Sequence, residues 1–389
     1  MTTATLAPSK VDPAGILAGI MLSFLATAGL FYVNIMAAIV DGLITGLGLS
    51  ESEAGLIGSA NIYGASAGAL VAVVLIKAVP WRPAAYVLLV SLIALDLVSM
   101  PIRDADALLA VRAIHGLVGG MLVGIAFGVI ARTAQADRTF GILLFVQFGL
   151  GGLGVMTLPQ LVPIYGTQAL FIALAMFSFA SLVMLAFLPA YPPKPRTVSE
   201  AGTVEWRPLL LTLGAIFLFQ AANMGLLAYI FRLGIAYGLE RTYTSYALGL
   251  ATWVALLGPL CVILIGTKYG RFLPLALVML LTLGGTAIFH FSAHPLAYLV
   301  ANCGTGITWG MVMAYLLGMA SQFDGAGRTA AAAGFVSKIG LASGPLVAGQ
   351  LLGGQGDYGL LINVALATLL LSMLVMLLPA RLLDIRKTD

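Results

Sequence analysis

The sequence predicts an all-α membrane protein with about twelve transmembrane helices in two six-helix halves. Three observations carry that prediction. Of the 389 residues, 61% are hydrophobic and only 9% charged, whereas soluble domains carry about 25% charged residues. With a mean hydropathy of +1.06, the chain has too few polar groups to cover a water-facing surface, so lipid must surround most of it. The apolar residues also come in runs close to the length of about 20 residues that a helix needs to cross a hydrocarbon core of about 30 Å. Finally, the chain repeats itself in register after about half its length.

In order, the runs fall near residues 14–40, 53–76, 83–101, 106–131, 140–162 and 167–188, then near 209–231, 243–266, 272–292, 295–320, 329–352 and 358–380. The first is far too long for a signal peptide, and no A-x-A-like site ends it, so it reads as a retained first span. The long hydrophilic stretch at 191–207 falls mid-chain and reads as a cytoplasmic linker between halves at 1–190 and 208–389.

An even number of spans puts both termini on one side, and the Lys and Arg distribution selects that side. Lys10, Lys77, Arg82, Arg132, Arg138, Arg207, Lys268, Arg271 and Arg328 gather with the termini, while Arg103, Arg232 and Arg241 lie opposite. Cytoplasmic termini in a cell membrane are expected, the inner membrane if the source is bacterial. The formal charge of +4 follows from this topology and calls for no nucleic acid.

Cys261 and Cys303 sit inside apolar runs and read as packing residues. No Cys/His/carboxylate cluster has metal-ligand spacing and no phosphate-binding loop is present, so no cofactor, metal or ATP-driven step is expected. An enzyme would need a nucleophile–base or metal constellation and a sensor usually needs a soluble output domain; neither is visible.

Shifting the chain by 190 residues aligns Gly116 with Gly306, Gly120-Met121 with Gly310-Met311, Gly128 with Gly318, Arg138-Thr139 with Arg328-Thr329 and Phe145-Val146 with Phe335-Val336. Such an orientation-preserving repeat after six helices belongs to two-fold pseudo-symmetric carriers. On the fourth span, Arg112-Ala-Ile-His115-Gly116 followed by Gly119-Gly120 matches an R-x-x-x-G motif. On the eleventh, Gly340, Gly344-Pro345 and Gly349 form a spaced glycine–proline motif; the fifth-span counterpart, Gly149, Gly151, Gly152 and Gly154, lacks the proline in register. After the eighth span, Lys268-Tyr269-Gly270-Arg271 retains part of a G-x-x-x-D-R-x-G-R loop motif, with Thr267 in the aspartate position. On these residues the chain resembles the major facilitator superfamily. That resemblance implies two bundles rocking about a central cavity that spans one, four, seven and ten line, with the glycines of spans five and eleven allowing close approach and sliding.

Ionisable side chains inside a membrane are costly and mark functional positions by default. At 1.5 Å per residue, Lys338 lies about 15 Å into its span, close to mid-membrane. Arg112 lies about 8–9 Å in from the face opposite the termini, with His115 a turn deeper on the same helical face. Asp96 and Asp41 fall at similar depths on other helices, so an Asp–Arg pair is possible. Uncharged polar residues form weaker stripes: Ser23, Thr27, Asn34 and Asp41 on the first span; Gln220 and Asn223 on the seventh; Asn302, Thr305 and Trp309 on the tenth. Interhelical hydrogen bonding alone would produce similar stripes. Asn61, Tyr63, Gln147 and Trp253 are lesser candidates.

The expectation is a secondary transporter, working as a monomer in the bilayer by alternating access. Arg112 and Lys338 in a cavity with few acids would attract a small organic anion such as a carboxylate, with His115, Asn34, Asn223, Asn302, Thr305 and Trp309 completing the site. Asp96, Asp41 and His115 could carry a coupled proton. A second reading is an exporter of lipophilic compounds in which the charges only gate, and a third is a membrane-embedded enzyme or non-transporting sensor.

Overall fold

The computed structural model describes residues 10–192, 205–266, 268–323 and 328–388, without the side chains at 74–78, 137, 328, 330–331, 354–355 and 386–388. Thr267, most of the expected linker and the side chains of Lys77 and Arg328 lie outside that set. Every regular element within it is helical.

The first half comprises α1 (Ile16–Ala28), α2 (Phe31–Asn34), α3 (Met36–Leu47), α4 (Glu51–Ala78), α5 (Trp81–Ser99), α6 (Ala105–Ile130), α7 (Ala136–Tyr165) and α8 (Gln168–Leu185). The second comprises α9 (Trp206–Ala236), α10 (Arg241–Val254), α11 (Leu257–Ile265), α12 (Phe272–Ile288), α13 (Pro295–Ala320), α14 (Arg328–Gln355) and α15 (Tyr358–Thr388). Among the described residues eleven stretches are long and apolar enough to cross a membrane, α10 and α11 together forming one of them. The twelfth crossing is α1–α3.

That first span departs from the expected continuous run. It is split into pieces of 13, 4 and 12 residues, and the chain tightens at the joint, where the amides of Leu30 and Val33 bond three residues back, to Thr27 and Leu30. Such 3₁₀-type bonds mark an interrupted helix. Gly29 lies at the joint because the chain there presses on α6: a methyl group on Gly29 would come within 2.3 Å of the Gly119 carbonyl oxygen.

The repeat is visible in the packing. A methyl at Gly116 would stand 1.9 Å from the Asn61 carbonyl oxygen, and one at Gly120 would stand 2.0 Å from that of Ala65, both on α4. Their counterparts Gly306 and Gly310 pack on Ala255 and Pro259, at the α10–α11 span. In each bundle the fourth span therefore lies on the second, and small residues permit the close crossing.

The two bundles meet along α4 with α14 and α7 with α10. Gly55 faces the Pro345 carbonyl, Gly349 that of Glu51, and Gly249 that of Gly152. Gly340 and Gly344 turn instead to α9, facing the carbonyls of Phe217 and Ala221, while Gly151 packs on Asn34. Large apolar side chains such as Phe145, Ile164, Ile263, Leu264 and Leu281 cover the outside, as a lipid-facing surface requires.

In the loop after α11, Gly270 takes φ +73°, a left-handed conformation that favours glycine. The Asp384 carboxylate of α15 accepts the backbone N–H groups of Arg271 and Phe272 at 2.8 Å, satisfying the amides that open α12. On the same face Arg138 donates to Gln135 at 2.9 Å.

Candidate functional site

Between the bundles lies a cavity of about 310 Å³, within the size range of small-molecule sites. The break in the first span sets Asn34 on its wall; α7 adds Gln147 and Phe148, α9 adds Asn223, α10 adds Thr252, α12 adds Thr286, and α13 adds Asn302, Thr305 and Trp309. The remaining lining is apolar, including Leu30, Val33, Leu226, Ile230, Leu248 and Leu341, and among the described residues no Asp, Glu, Lys, Arg or His lines it.

Trp309 bridges the wall. Its indole N–H donates to Gln220 Oε1 at 2.8 Å, Gln220 Nε2 donates to Ser337 Oγ at 2.7 Å, and its ring lies 6.3 Å from that of Phe148 on the other bundle. Trp253 also links the bundles, donating to the Gly149 carbonyl at 3.0 Å, and Tyr63 meets Ser343 at 2.8 Å.

The fourth span does not reach the lining. Arg112 and His115 share a helical face, as their spacing requires, but it turns toward α4 and α5. Arg112 Nη1 meets Asp96 at 2.8 Å, with side-chain exposures of 1% and 0%. Nη2 donates to the Leu95 carbonyl at 2.9 Å and to the Ser99 hydroxyl, and the guanidinium lies 5.0 Å from the Phe171 ring. Asn61 Nδ2 donates to the Arg112 carbonyl at 3.1 Å and to His115 Nδ1 at 2.9 Å. A carbonyl can only accept, which orients the Asn61 amide. Nδ1 of His115 must then accept, leaving its hydrogen on Nε2, 3.3 Å from Asp96. The group is an internally compensated knot on the wall of one bundle.

Asp41 is fully buried and faces the second bundle, at the side opposite the chain ends. Arg241 Nη1 reaches it at 2.7 Å and also donates to the Pro159 carbonyl at 2.9 Å, while Nη2 reaches Thr45 at 3.3 Å. Arg232 lies 3.8 Å from both Asp41 and Glu51, and Tyr229 donates to the Glu51 carbonyl. These contacts tie α3 and α4 to α9 and α10.

Lys338 is half-buried on α14, one turn toward the chain-end face from Leu341, which lines the cavity. The three-residue spacing puts both on the same side of the helix. Lys338 makes no ion pair with the described residues. Of the expected site, then, Asn34, Asn223, Asn302, Thr305 and Trp309 come together at the cavity. Arg112 and His115 gather with Asp96 elsewhere, and Lys338 stands a turn outside the lining. Thr252, Thr286 and Phe148 were not singled out by sequence reasoning; isolated hydroxyls and aromatics in apolar helices carry no distinguishing pattern.

A comparison with curated proteins gives no match. Among solved structures the chain is similar to a crystal structure of the nucleoside transporter NupG, in a point-mutant form, at 13% identity and a TM-score of 0.71, over 93% of this chain and 98% of that one; that likeness shows the fold. The family model described as Major Facilitator Superfamily matches residues 16–348, which span both bundles and the cavity between them. The chain belongs to the Major Facilitator Superfamily: it is a multi-pass membrane transporter of small molecules and not an enzyme.

Proposed function

We propose that this transporter carries an uncharged, amphiphilic small molecule by alternating access, as a monomer in the cell membrane with both termini cytoplasmic. The observation that carries the reading is the lining: amides, hydroxyls and apolar groups, with no charged side chain among the described residues. Burying an unpaired ion there would cost several kcal/mol, whereas an uncharged solute can exchange its water for amide contacts at little loss. The ionic network of Asp41, Glu51, Arg232 and Arg241 closes the far face, and for the cavity to open there it must come apart. A proton arriving at Asp41 would remove the charge that holds Arg241, so proton coupling would act through this carboxylate and its neighbours Glu51 and Arg232. The apolar lining also accommodates the lipophilic cargo of an exporter; the direction of transport follows from the sidedness of the driving gradient.

The small-anion reading keeps one specific observation in its favour: Lys338, half-buried and without an ion-pair partner among the described residues, one turn from the lining. The purified protein is to be reconstituted in liposomes and challenged with uncharged solutes (nucleosides, the cargo named for the structural neighbour, among them), carboxylates and lipophilic cations. Ligands that bind the folded state raise its melting temperature by mass action, and the best stabiliser then enters a flux assay. Flux of an uncharged solute that survives Lys338→Ala is the expected result. Flux confined to carboxylates and lost in Lys338→Ala would replace the proposal with the anion reading.

A further inference from the structure

We propose that the cavity carries a closed arm inside the second bundle and that this arm takes a flat, uncharged ring of the solute. The class of ring rests on the uncharged-solute reading above; the arm itself rests on packing.

The internal repeat locates it. A shift of 190 residues carries Asn61, Asp96, Arg112 and His115 onto Ala251, Thr286, Asn302 and Thr305. The first four interlock inside the first bundle. The second four all line the cavity. Arginine, histidine and asparagine have given way to asparagine, threonine and alanine, each smaller, while threonine about matches aspartate. What is a plug in one bundle is space in the other.

Helix spacing differs as well. Toward the chain-end face the two bundles pack alike: a methyl on Gly68 would stand 2.0 Å from the Leu117 carbonyl oxygen, and one on its counterpart Gly258 2.2 Å from that of Ile307. Toward the opposite face they part. A methyl on Gly116 would stand 1.9 Å from the Asn61 carbonyl oxygen, whereas one on Gly306 would stand 3.6 Å from that of Ala251. Two residue changes account for the splay. Pro259 replaces Ala69 of the repeat, and a proline ring clashes with the carbonyl four residues back, so the eighth span breaks at Ala255 into α10 and α11. Val254 replaces Gly64, at which even a methyl would come 2.2 Å from the Ala113 carbonyl oxygen. Freed from α13, α10 leans on the first bundle, where a methyl on Gly249 would stand 2.8 Å from the Gly152 carbonyl oxygen.

The space between α10 and α13 reaches the ninth span, where Thr286 and Phe289 line its end at 1% and 2% exposure. An end so buried opens to neither lipid nor water, and the arm is entered from the central cavity. Phe289 stands where Ser99 bonds Arg112 in the first bundle, so an apolar floor replaces one that holds a cation. The missing guanidinium and imidazole are both flat, which gives the slot its shape. With no charged side chain on the lining among the described residues, an ion there would be buried unpaired at high cost.

The test puts a thiol on the end wall of the arm and asks which reagents reach it. In the full-length protein with Cys261→Ser and Cys303→Ser, Thr286→Cys is treated with N-methylmaleimide, itself a flat uncharged ring, and rates are scaled to those of glutathione. Alkylation is expected, falling about tenfold or more in Ala251→Leu, which returns bulk at the place of Asn61. Thr305→Leu, at the place of His115, supplies the block if the first variant fails to fold. Thr282→Cys, a turn away and equally buried but off the lining, is expected to stay unreactive. No alkylation at Thr286→Cys, or a rate that neither leucine lowers, overturns the arm. Maleimidopropionate carries the same reactive ring on an anion and is expected to react about tenfold more slowly than N-methylmaleimide. Equal rates that the leucines still suppress would sink the uncharged-solute reading, and with it the class of ring, while the arm stands.

Discussion

Two arginine–aspartate pairs of nearly equal length do different work in this molecule. Arg112–Asp96 spans 2.8 Å inside one bundle, with exposures of 1% and 0%; Arg241–Asp41 spans 2.7 Å between the bundles, with exposures of 27% and 0%. Both arginines also bond a backbone carbonyl and a hydroxyl, and both guanidiniums lie 5.0 Å from a phenylalanine ring. The chemistry is matched; the surroundings are not. A pair sealed on both sides can be broken only by stranding an ion where water cannot follow. A pair whose arginine already touches solvent can part and rejoin, because the released guanidinium is rehydrated. The first is suited to staying closed through a transport cycle and the second to opening within it.

Three experiments break or sharpen that contrast. The largest effect is expected from Asp96→Ala, which leaves Arg112 uncompensated and should cost about 3–5 kcal/mol, read as a lower melting temperature and a smaller folded yield in detergent. An unchanged melting curve would show that the buried pair is dispensable. Asp41→Ala should cost less and move the conformational equilibrium instead. In a background with Cys261 and Cys303 replaced by serine, Thr45→Cys should react several-fold faster with a membrane-impermeant maleimide once Asp41 is removed. A double-mutant cycle with Arg241→Ala should return a coupling of about 1–3 kcal/mol, and zero coupling would disprove a lock between the bundles. The smallest effect is expected from lysine at each arginine, since lysine keeps the charge and loses the fork. Arg241→Lys should change maleimide reactivity by less than about 1 kcal/mol-equivalent, whereas Arg112→Lys should lower the melting temperature measurably. Equal responses at the two sites would erase the distinction.

Much of the architecture was legible because membrane solvation writes it into composition. The apolar runs meet the long helices, and the 190-residue repeat meets the matched packing of Gly116 and Gly120 with that of Gly306 and Gly310. The Arg112–Asp96 pair was within reach because both residues fall at one depth on nearby spans. Depth, however, does not determine rotation. Periodicity put Arg112 and His115 on a shared face without saying which neighbour that face meets, and Asn61 on α4 was only a lesser candidate. Nor could hydropathy show that the Asn223 and Asn302 amides each donate an N–H to their own helices, since hydrogen-bond direction depends on rotamer and not residue type. Asp384 and Arg271 are 113 residues apart in sequence, and no local pattern links a helix end to the loop it caps.

The interrupted first span carries a mechanical consequence. Its two long pieces are anchored differently: α1 packs on α6, α7 and α8 of its own bundle, whereas α3 also packs on α9 of the other. A straight rod would transmit any tilt of one end to the other. A jointed one lets the Asp41 end swing while the α1 end keeps its seat, and the joint that absorbs the bend carries Asn34 on the cavity wall. On the transport reading proposed above, cargo contact, hinge and latch would lie in sequence along one polypeptide segment, so a solute held by Asn34 would act on the lever that holds the far side shut.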